Sequence, residues 1–292
     1  MEMEYMDEEV EDITHYLKWV KKVNVVENDE AELSFFQECT YFRGQASEVW
    51  NLAPGIFRDP PTDEYAITQK AKLRLYNETS FLNSNLDMLI YFQHYGLRTR
   101  FLDVTFNPLI ALYMACLPSN NRGDCKNDCR NDCKDDNNGA VYCGHEYSRT
   151  DSYAAKCTAD YIFNAAAAPS HAEDVIAYLS KKVNDAKVER FATPIFIHPP
   201  INNPRIEIQD GAFIMAPLLR MTQDGYMINR EGLERSDFFD KRRAIIKSEN
   251  KQSILMELSA IGFDCGSIFR DISSKLKAIM QKEEGRIARI DI

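Results

Sequence analysis

Thr99-Arg100-Phe101-Leu102-Asp103-Val104-Thr105, followed closely by Asn107-Pro108, is the stretch whose reading decides the fold. Its β-branched and aromatic residues predict a short strand. Period-two geometry sets Thr99, Phe101, Asp103 and Thr105 on one face and Arg100, Leu102 and Val104 on the other. Asn107 then offers a side-chain cap and Pro108 a first helical position, so a helix starts at once. Leu109, Leu112, Tyr113 and Cys116 give that helix one apolar stripe. Upstream, a helical stretch covers residues 66–95 with a break near Asn83, and Gly96 is placed to end it. A strand thus stands between two helices, with only short connections.

Working outward, Val10, Ile13, Leu17 and Val20 fall at helical spacing and predict a helix over residues 6–23. Cys39-Thr40-Tyr41-Phe42-Arg43 reads as a strand ending at Gly44, and the proline-rich residues 57–62 as a loop. Beyond the loop of residues 117–138, Gly139-Ala140-Val141-Tyr142-Cys143 restarts as a strand. Residues 148–190 read as mainly helical, residues 194–198 and 205–215 as strands, and residues 234–290 as largely helical and charged. In the second of those strands Ile206 and Ile208 face one way, Glu207 and Gln209 the other. The pattern predicts an α+β fold with central mixed or antiparallel strands and helical flanks. Its parts are a helical N-terminal extension (1–35), a central domain (36–220) and a helical C-terminal region packed on it (221–292).

Hydrophobic residues make up 45% and charged residues 27%, the composition of a globular protein, which excludes global disorder. Mean hydropathy is −0.41, and no apolar run approaches the roughly 18 residues a membrane span needs. The acidic start has neither a basic nor an apolar leader region, so a cytoplasmic protein without membrane partners is expected. Net charge is −10, yet the first twelve residues alone carry seven acidic side chains and no Lys or Arg. The remainder is nearly neutral, which argues against a polyanion-coating role. A local basic groove stays open, from Arg98, Arg100, Lys241, Arg242, Arg243 and Lys247.

Eight irregularly spaced cysteines in a chain of this length read as reduced thiols. Cys125, Cys129 and Cys133 repeat at intervals of four among Asp, Asn, Lys and Arg; a solvated loop is the reading, and no metal is expected. The glycine-rich dinucleotide fingerprint, the phosphate-binding loop, the His-Glu-x-x-His helix and the Gly-x-Ser-x-Gly elbow are all missing. P-loop hydrolysis, Rossmann hydride transfer, zincin proteolysis and α/β-hydrolase chemistry lose their usual support.

Three segments together resemble the FRG domain family, named for a Phe/Tyr-Arg-Gly motif. They are Tyr41-Phe42-Arg43-Gly44-Gln45 with Trp50-Asn51-Leu52-Ala53-Pro54-Gly55-Ile56, then Gln93 through Asp103 with Thr105, Asn107-Pro108, Ala111-Leu112-Tyr113 and Ala115, and more weakly residues 205–213. The chain departs from the family pattern at Arg98, where Pro is usual, and at Val104, often Trp.

A looser resemblance, in motif order only, is to arginine-containing ADP-ribosyltransferases, whose sites run from an Arg-Gly strand through a polar Ser/Thr strand to a late Glu-x-Glu or Gln-x-Glu strand. It implies an ADP-ribosyltransferase-like arrangement of strands and an enzyme that cleaves NAD and passes ADP-ribose to a nucleic acid or protein acceptor. The implied setting is a bacterial toxin or anti-phage effector with an antitoxin or chaperone partner. Breaking the nicotinamide–ribose bond passes through an oxocarbenium-like state. On this resemblance Arg43, Thr105, Glu207 and Gln209 act at the reacting bond. Arg43, Gly44, Gln45, His94, Thr99, Arg100, Asp103 and Asn107 hold the dinucleotide. Arg43 would fork onto a phosphate or ribose oxygen, and Gly44 would let the backbone approach the ligand. An amide at Gln209 carries no charge and cannot act as a base, so Glu207 or Asp103 would have to supply the acid, or the site is inactive. The alternative is a non-catalytic module that binds a nucleotide or a phage component.

Structural alternatives stand beside these roles. Arg43 and Asp103 would form an ion pair, His94 would satisfy the end of its helix, Thr105 and Asn107 would cap the next one, Gln93 would bond backbone groups, and Trp50 and Tyr95 would be core.

Overall fold

The structure, a computed structural model, describes residues 6–24, 39–58, 62–119, 137–146, 152–165, 167–182, 185–199, 208–233 and 238–269. The cysteine-rich residues 125–133 and Glu207 lie outside them.

The chain begins with a strand, β1 (Met6–Val10), and its helix α1 is confined to Ile13–Asn24. The sequence reading extended the helix through residues 6–10; instead they pair in parallel with β9 (Arg242–Ile246), far along the chain. Charge explains the pairing. Arg243 forks onto Asp7 at 2.6 and 2.9 Å, Lys247 reaches Glu9 at 2.8 Å, and Lys22 reaches Glu8 at 2.7 Å. Exposed ion pairs contribute little to stability. Burial of Val10, at 0% exposure, contributes about 2 kcal/mol and anchors the strand, while the charges fix its register. The basic groove expected from Arg243 and Lys247 is thereby occupied by the chain's own acidic start.

Seven strands form one mixed sheet in the order β1-β9-β4-β2-β3-β6-β5. The others are β2 (Cys39–Gln45), β3 (Phe101–Thr105), β4 (Gly139–Glu146), β5 (Ile195–Ile197) and β6 (Gly211–Met215). Every pairing except β1 with β9 is antiparallel. A separate hairpin joins β7 (Leu219–Thr222) to β8 (Gly225–Ile228). The C-terminal region therefore contains a hairpin and an inner strand before its helices α8 (Ser248–Ala260) and α9 (Cys265–Phe269). A largely helical reading missed them because the leading arginines of β9 mask its Ala244-Ile245-Ile246 core.

Register places two hydrophobic cores side by side on one face of the sheet. In the first, α4 (Asn85–His94), α6 (Ser152–Asn164) and α7 (Ala172–Ser180) cover Phe101, Phe213 and Met215 through Leu89, Phe92, Ile162 and Val175. In the second, α1, α5 (Pro108–Cys116) and α8 cover Phe42, Val141, Ala244 and Ile246 through Trp19, Ala111, Leu112 and Ile254. A third, smaller core of Tyr41, Leu52, Leu102, Val104, Tyr142 and Phe239 lies on the opposite face. The first two meet where β2 adjoins β3, and those strands pair at a single position, Phe42 with Thr105.

The expected break in the first long helical stretch is present: α2 (Glu64–Arg74), α3 (Tyr76–Thr79) and α4 are separate. Gly96 ends α4 with φ +91, its N–H on the Gln93 carbonyl and the Leu97 N–H on that of Phe92, a Schellman closure. Among the described residues no helix is long and apolar enough to cross a membrane.

Candidate functional site

An inner strand is normally covered on both faces, and β3 is, except at one residue. Phe101, Leu102, Val104 and Thr105 are buried, whereas Asp103 between them is exposed. Its carboxylate sits at the seam between the two cores and is held there. Gln93 Nε2 donates to both carboxylate oxygens at 3.2 and 3.3 Å, and Gln93 Oε1 accepts from Thr99 Oγ1 at 2.7 Å. Thr99 Oγ1 in turn accepts the Phe101 N–H at 3.1 Å. The Schellman closure of α4 and the first residues of β3 thus aim one carboxylate at solvent.

Arg43 and Arg58 lie within electrostatic reach of it, and Arg98 within reach of Arg58. Arg43 Nη1 donates to the Asp103 carbonyl oxygen at 2.5 Å. Burial pushes the Arg43 guanidinium down to about 10; Asp103 opposes the shift and Arg58 adds to it. Burial also lowers Arg58, with Asp103 opposing and Arg98 reinforcing. Arg58 is anchored through Nε to the Ala53 carbonyl at 2.9 Å, and Arg98 is exposed beside Gly55. Arg58 thus acts on Arg43 and Arg98 on Arg58, with Asp103 as the carboxylate that opposes both shifts. Two buried side-chain nitrogens, Nε of Arg43 on β2 and Nε2 of Gln209 just before β6, have no hydrogen-bond partner among the described residues. A buried unsatisfied donor is costly, and a bound ligand is one way to satisfy it.

The other expected residues divide clearly. Arg100 is not a ligand-binding residue. It is 3% exposed, its Nε and Nη2 hold Glu64, and its Nη1 donates to the Ala216 and Pro217 carbonyls, both at 3.1 Å. All three of its guanidinium nitrogens donate to the scaffold. Asn107 caps α5, accepting from Leu109 and Ile110 N–H. Thr105 Oγ1 donates to the Gln209 carbonyl at 2.5 Å and accepts the Asn107 N–H, so it clamps β3 to the approach of β6. Gln45 is buried and donates to the Trp50 carbonyl. His94 lies against Phe213, ring centroids 5.6 Å apart. Tyr95 is 70% exposed and so is not core.

Two further expectations need correction. Gln209 is not on a strand: it ends a helical turn, and Asp210, at φ +43, turns the chain into β6 at Gly211. The left-handed residue interrupts the alternation that the sequence suggested. Gly44 faces α5 and not a ligand. A Cβ there would lie 1.9 Å from the Ala111 carbonyl oxygen and 2.9 Å from the Ala115 nitrogen. Both neighbours are backbone, so Gly44→Ala must push α5 off β2. The expected result is a loss of about 1–3 kcal/mol, read as a lower midpoint in urea denaturation.

Arg58 carries no sequence signal, because it stands in a proline-rich loop with no periodic pattern; folding alone brings it near Arg98 and Asp103. Arg43, Gln93, Thr99 and Asp103 do come together, while Arg100 and Asn107 serve the scaffold.

Residues 38–124 match the family model described as FRG domain. No curated protein and no solved structure matches the chain. The match spans β2 through α5, and so contains Arg43, Arg58, Gln93, Arg98 and Asp103. The carboxylate and the arginines around it therefore belong to an FRG domain, which this chain carries over residues 38–124.

Proposed function

We propose that the chain is an ADP-ribosyltransferase-like enzyme that cleaves NAD in the cytoplasm and transfers ADP-ribose to a macromolecule. The observation that carries the reading is the exposed Asp103 carboxylate on an inner strand, with Arg43 and Arg58 within electrostatic reach of it and Arg98 within reach of Arg58. A dinucleotide needs cations for its diphosphate and a negative group beside the ribose carbon that becomes cationic as nicotinamide leaves. Strand order supports the same reading: β2 with Arg43, β3 with Asp103, and β6 with Gln209 at its approach are neighbours. That succession parallels the motif order of ADP-ribosyltransferases.

In this scheme Arg43 Nε and the arginine cluster bind phosphate oxygens, and Gln209 Nε2 donates to a ribose hydroxyl. Asp103 supplies the charge that the Gln209 amide lacks, with Gln93 holding it in position. The acceptor's lone pair forms the new bond to the ribose carbon, the bonding pair leaves with nicotinamide, and the acceptor proton passes to solvent or Asp103. The toxin or anti-phage setting, with an antitoxin or chaperone, is the context the resemblance implies.

A second reading, a non-catalytic nucleotide-binding module, is favoured by the amide at Gln209 and by the structural use of Thr105. Incubation with adenylate-labelled NAD and bacterial lysate separates the two. Wild type is expected to release nicotinamide and label a macromolecule, and Asp103→Asn to lose at least about 100-fold in rate. NAD-dependent thermal stabilisation without nicotinamide release would instead establish the binding module.

A further inference from the structure

We infer that Thr99 is a positioning residue for the Asp103 carboxylate, acting through the Gln93 amide and touching no ligand itself; its effect on turnover rests on the transferase reading. Thr99 is 0% exposed, so a dinucleotide bound at Asp103 does not reach it. Its hydroxyl is committed in two directions. Oγ1 accepts the Phe101 N–H at 3.1 Å and donates to Gln93 Oε1 at 2.7 Å. A backbone N–H can only donate, so it takes a lone pair of the hydroxyl and leaves the proton for Gln93.

The amide that receives this proton has one orientation, with Oε1 toward Thr99 and Nε2 toward Asp103. Turned over, it would set Oε1 against a carboxylate oxygen, two acceptors with no proton between them. The buried Thr99 hydroxyl would also lose its acceptor. Nε2 stands 3.2 and 3.3 Å from the two carboxylate oxygens, nearly equidistant, so it holds both rather than one. The backbone of Gln93 is fixed as well, because its carbonyl accepts the Gly96 N–H that closes α4. Rotation of the amide is the freedom that is left, and Thr99 removes it. Asp103 needs this tether. It is exposed, so packing does not confine its side chain, and Arg43 bonds its carbonyl and not its carboxylate. An acid that serves the ribose carbon has to be in place before the ligand arrives, since a misplacement of about 1 Å costs on the order of 100-fold in rate.

The test compares Thr99→Val, which keeps the shape and removes the hydroxyl, with Thr99→Ser, which keeps the hydroxyl, in the full chain. The first readout needs no reaction. In isotope-labelled protein without NAD, the Gln93 side-chain amide is followed by NMR and assigned by its absence in Gln93→Met. Its signals are expected to be displaced from those of a solvated amide and protected from exchange in wild type and Thr99→Ser. In Thr99→Val they should move to the solvated position, and an amide that stays in place overturns the inference. The second readout is nicotinamide release, corrected for the folded fraction from a melting curve, because Thr99→Val also leaves the Phe101 N–H unpaired. Thr99→Val is expected to lose roughly tenfold to 100-fold in kcat with KM within about twofold, and Thr99→Ser to recover most of the loss. A raised KM at unchanged kcat would make Thr99 a binding residue and overturn the inference, as would kinetics unchanged in both. Release by the wild type with an unmoved amide refutes the relay alone. A Thr99-dependent amide without release by the wild type upholds the relay and refutes the transferase.

Discussion

On the transferase reading proposed above, Arg43→Ala is expected to reduce NAD turnover by about 100-fold or more, the cost of removing one preorganised donor from a charge-stabilising site. The argument rests on position. Arg43 is the arginine whose guanidinium reaches between β2 and β3, where Nη1 is fixed on the Asp103 carbonyl and Nε remains buried without a partner among the described residues. That arrangement orients the planar group before any ligand arrives, so little entropy is lost on binding. Arg43→Lys should restore the charge but not the fork, and recover only a minor part of the rate. Arg58→Ala and Arg98→Ala, both at exposed residues, should chiefly raise KM, since solvent screens their share of the field. Arg43→Ala should also lower thermal stability by the worth of one hydrogen bond, about 1 kcal/mol. A melting curve run beside the nicotinamide assay separates the two effects. Turnover unchanged in Arg43→Ala would move the site elsewhere.

The contrast between Arg43 and Arg100 shows what the sequence made legible. Both lie in the segments that resemble the family, and both entered the candidate site. Alternation along β3 already set Arg100 with Leu102 and Val104, on the face opposite Asp103. A charge on a strand face lined with apolar residues has to find a counter-ion, and Glu64 is that ion, 36 residues earlier in sequence. The face was legible; the partner was not, because no local pattern links α2 to β3. The same limit hid β1. Residues 6–10 carry acids that make sense only beside Arg243 and Lys247. Conversely, the β3–α5 unit was read closely, down to the Asn107 cap, because caps and alternation are local. Gln209 was misplaced for a third reason: one left-handed residue, Asp210, ends the alternation without leaving a glycine or proline as a signal.

Glu64→Gln is expected to be among the most destabilising substitutions in the chain. The side chains of Arg100 and Glu64 are only 4% and 5% exposed, with Nη2 2.5 Å from Oε2. Burial works against the charged Arg100, and Glu64 outweighs it, leaving the guanidinium above its ordinary value. Removing the carboxylate charge leaves a buried cation uncompensated, which costs about 3–5 kcal/mol. For a chain of this size that is a fall in Tm on the order of 10 °C. Glu64→Leu combined with Arg100→Met should recover part of it, since replacing both charges removes the desolvation penalty as well. Recovery stays incomplete because the Ala216 and Pro217 carbonyls then lose their donor. The pair ties α2 to the start of β3 and to the exit of β6, so its loss should lower turnover only as the folded fraction falls. Arg43→Ala should do the reverse, with turnover collapsing while Tm falls by only about 2–4 °C. Two arginines from one stretch of family resemblance would then be assigned opposite roles by two measurements, and a Glu64→Gln protein with unchanged Tm would show that the ion pair is not what holds β3 in place.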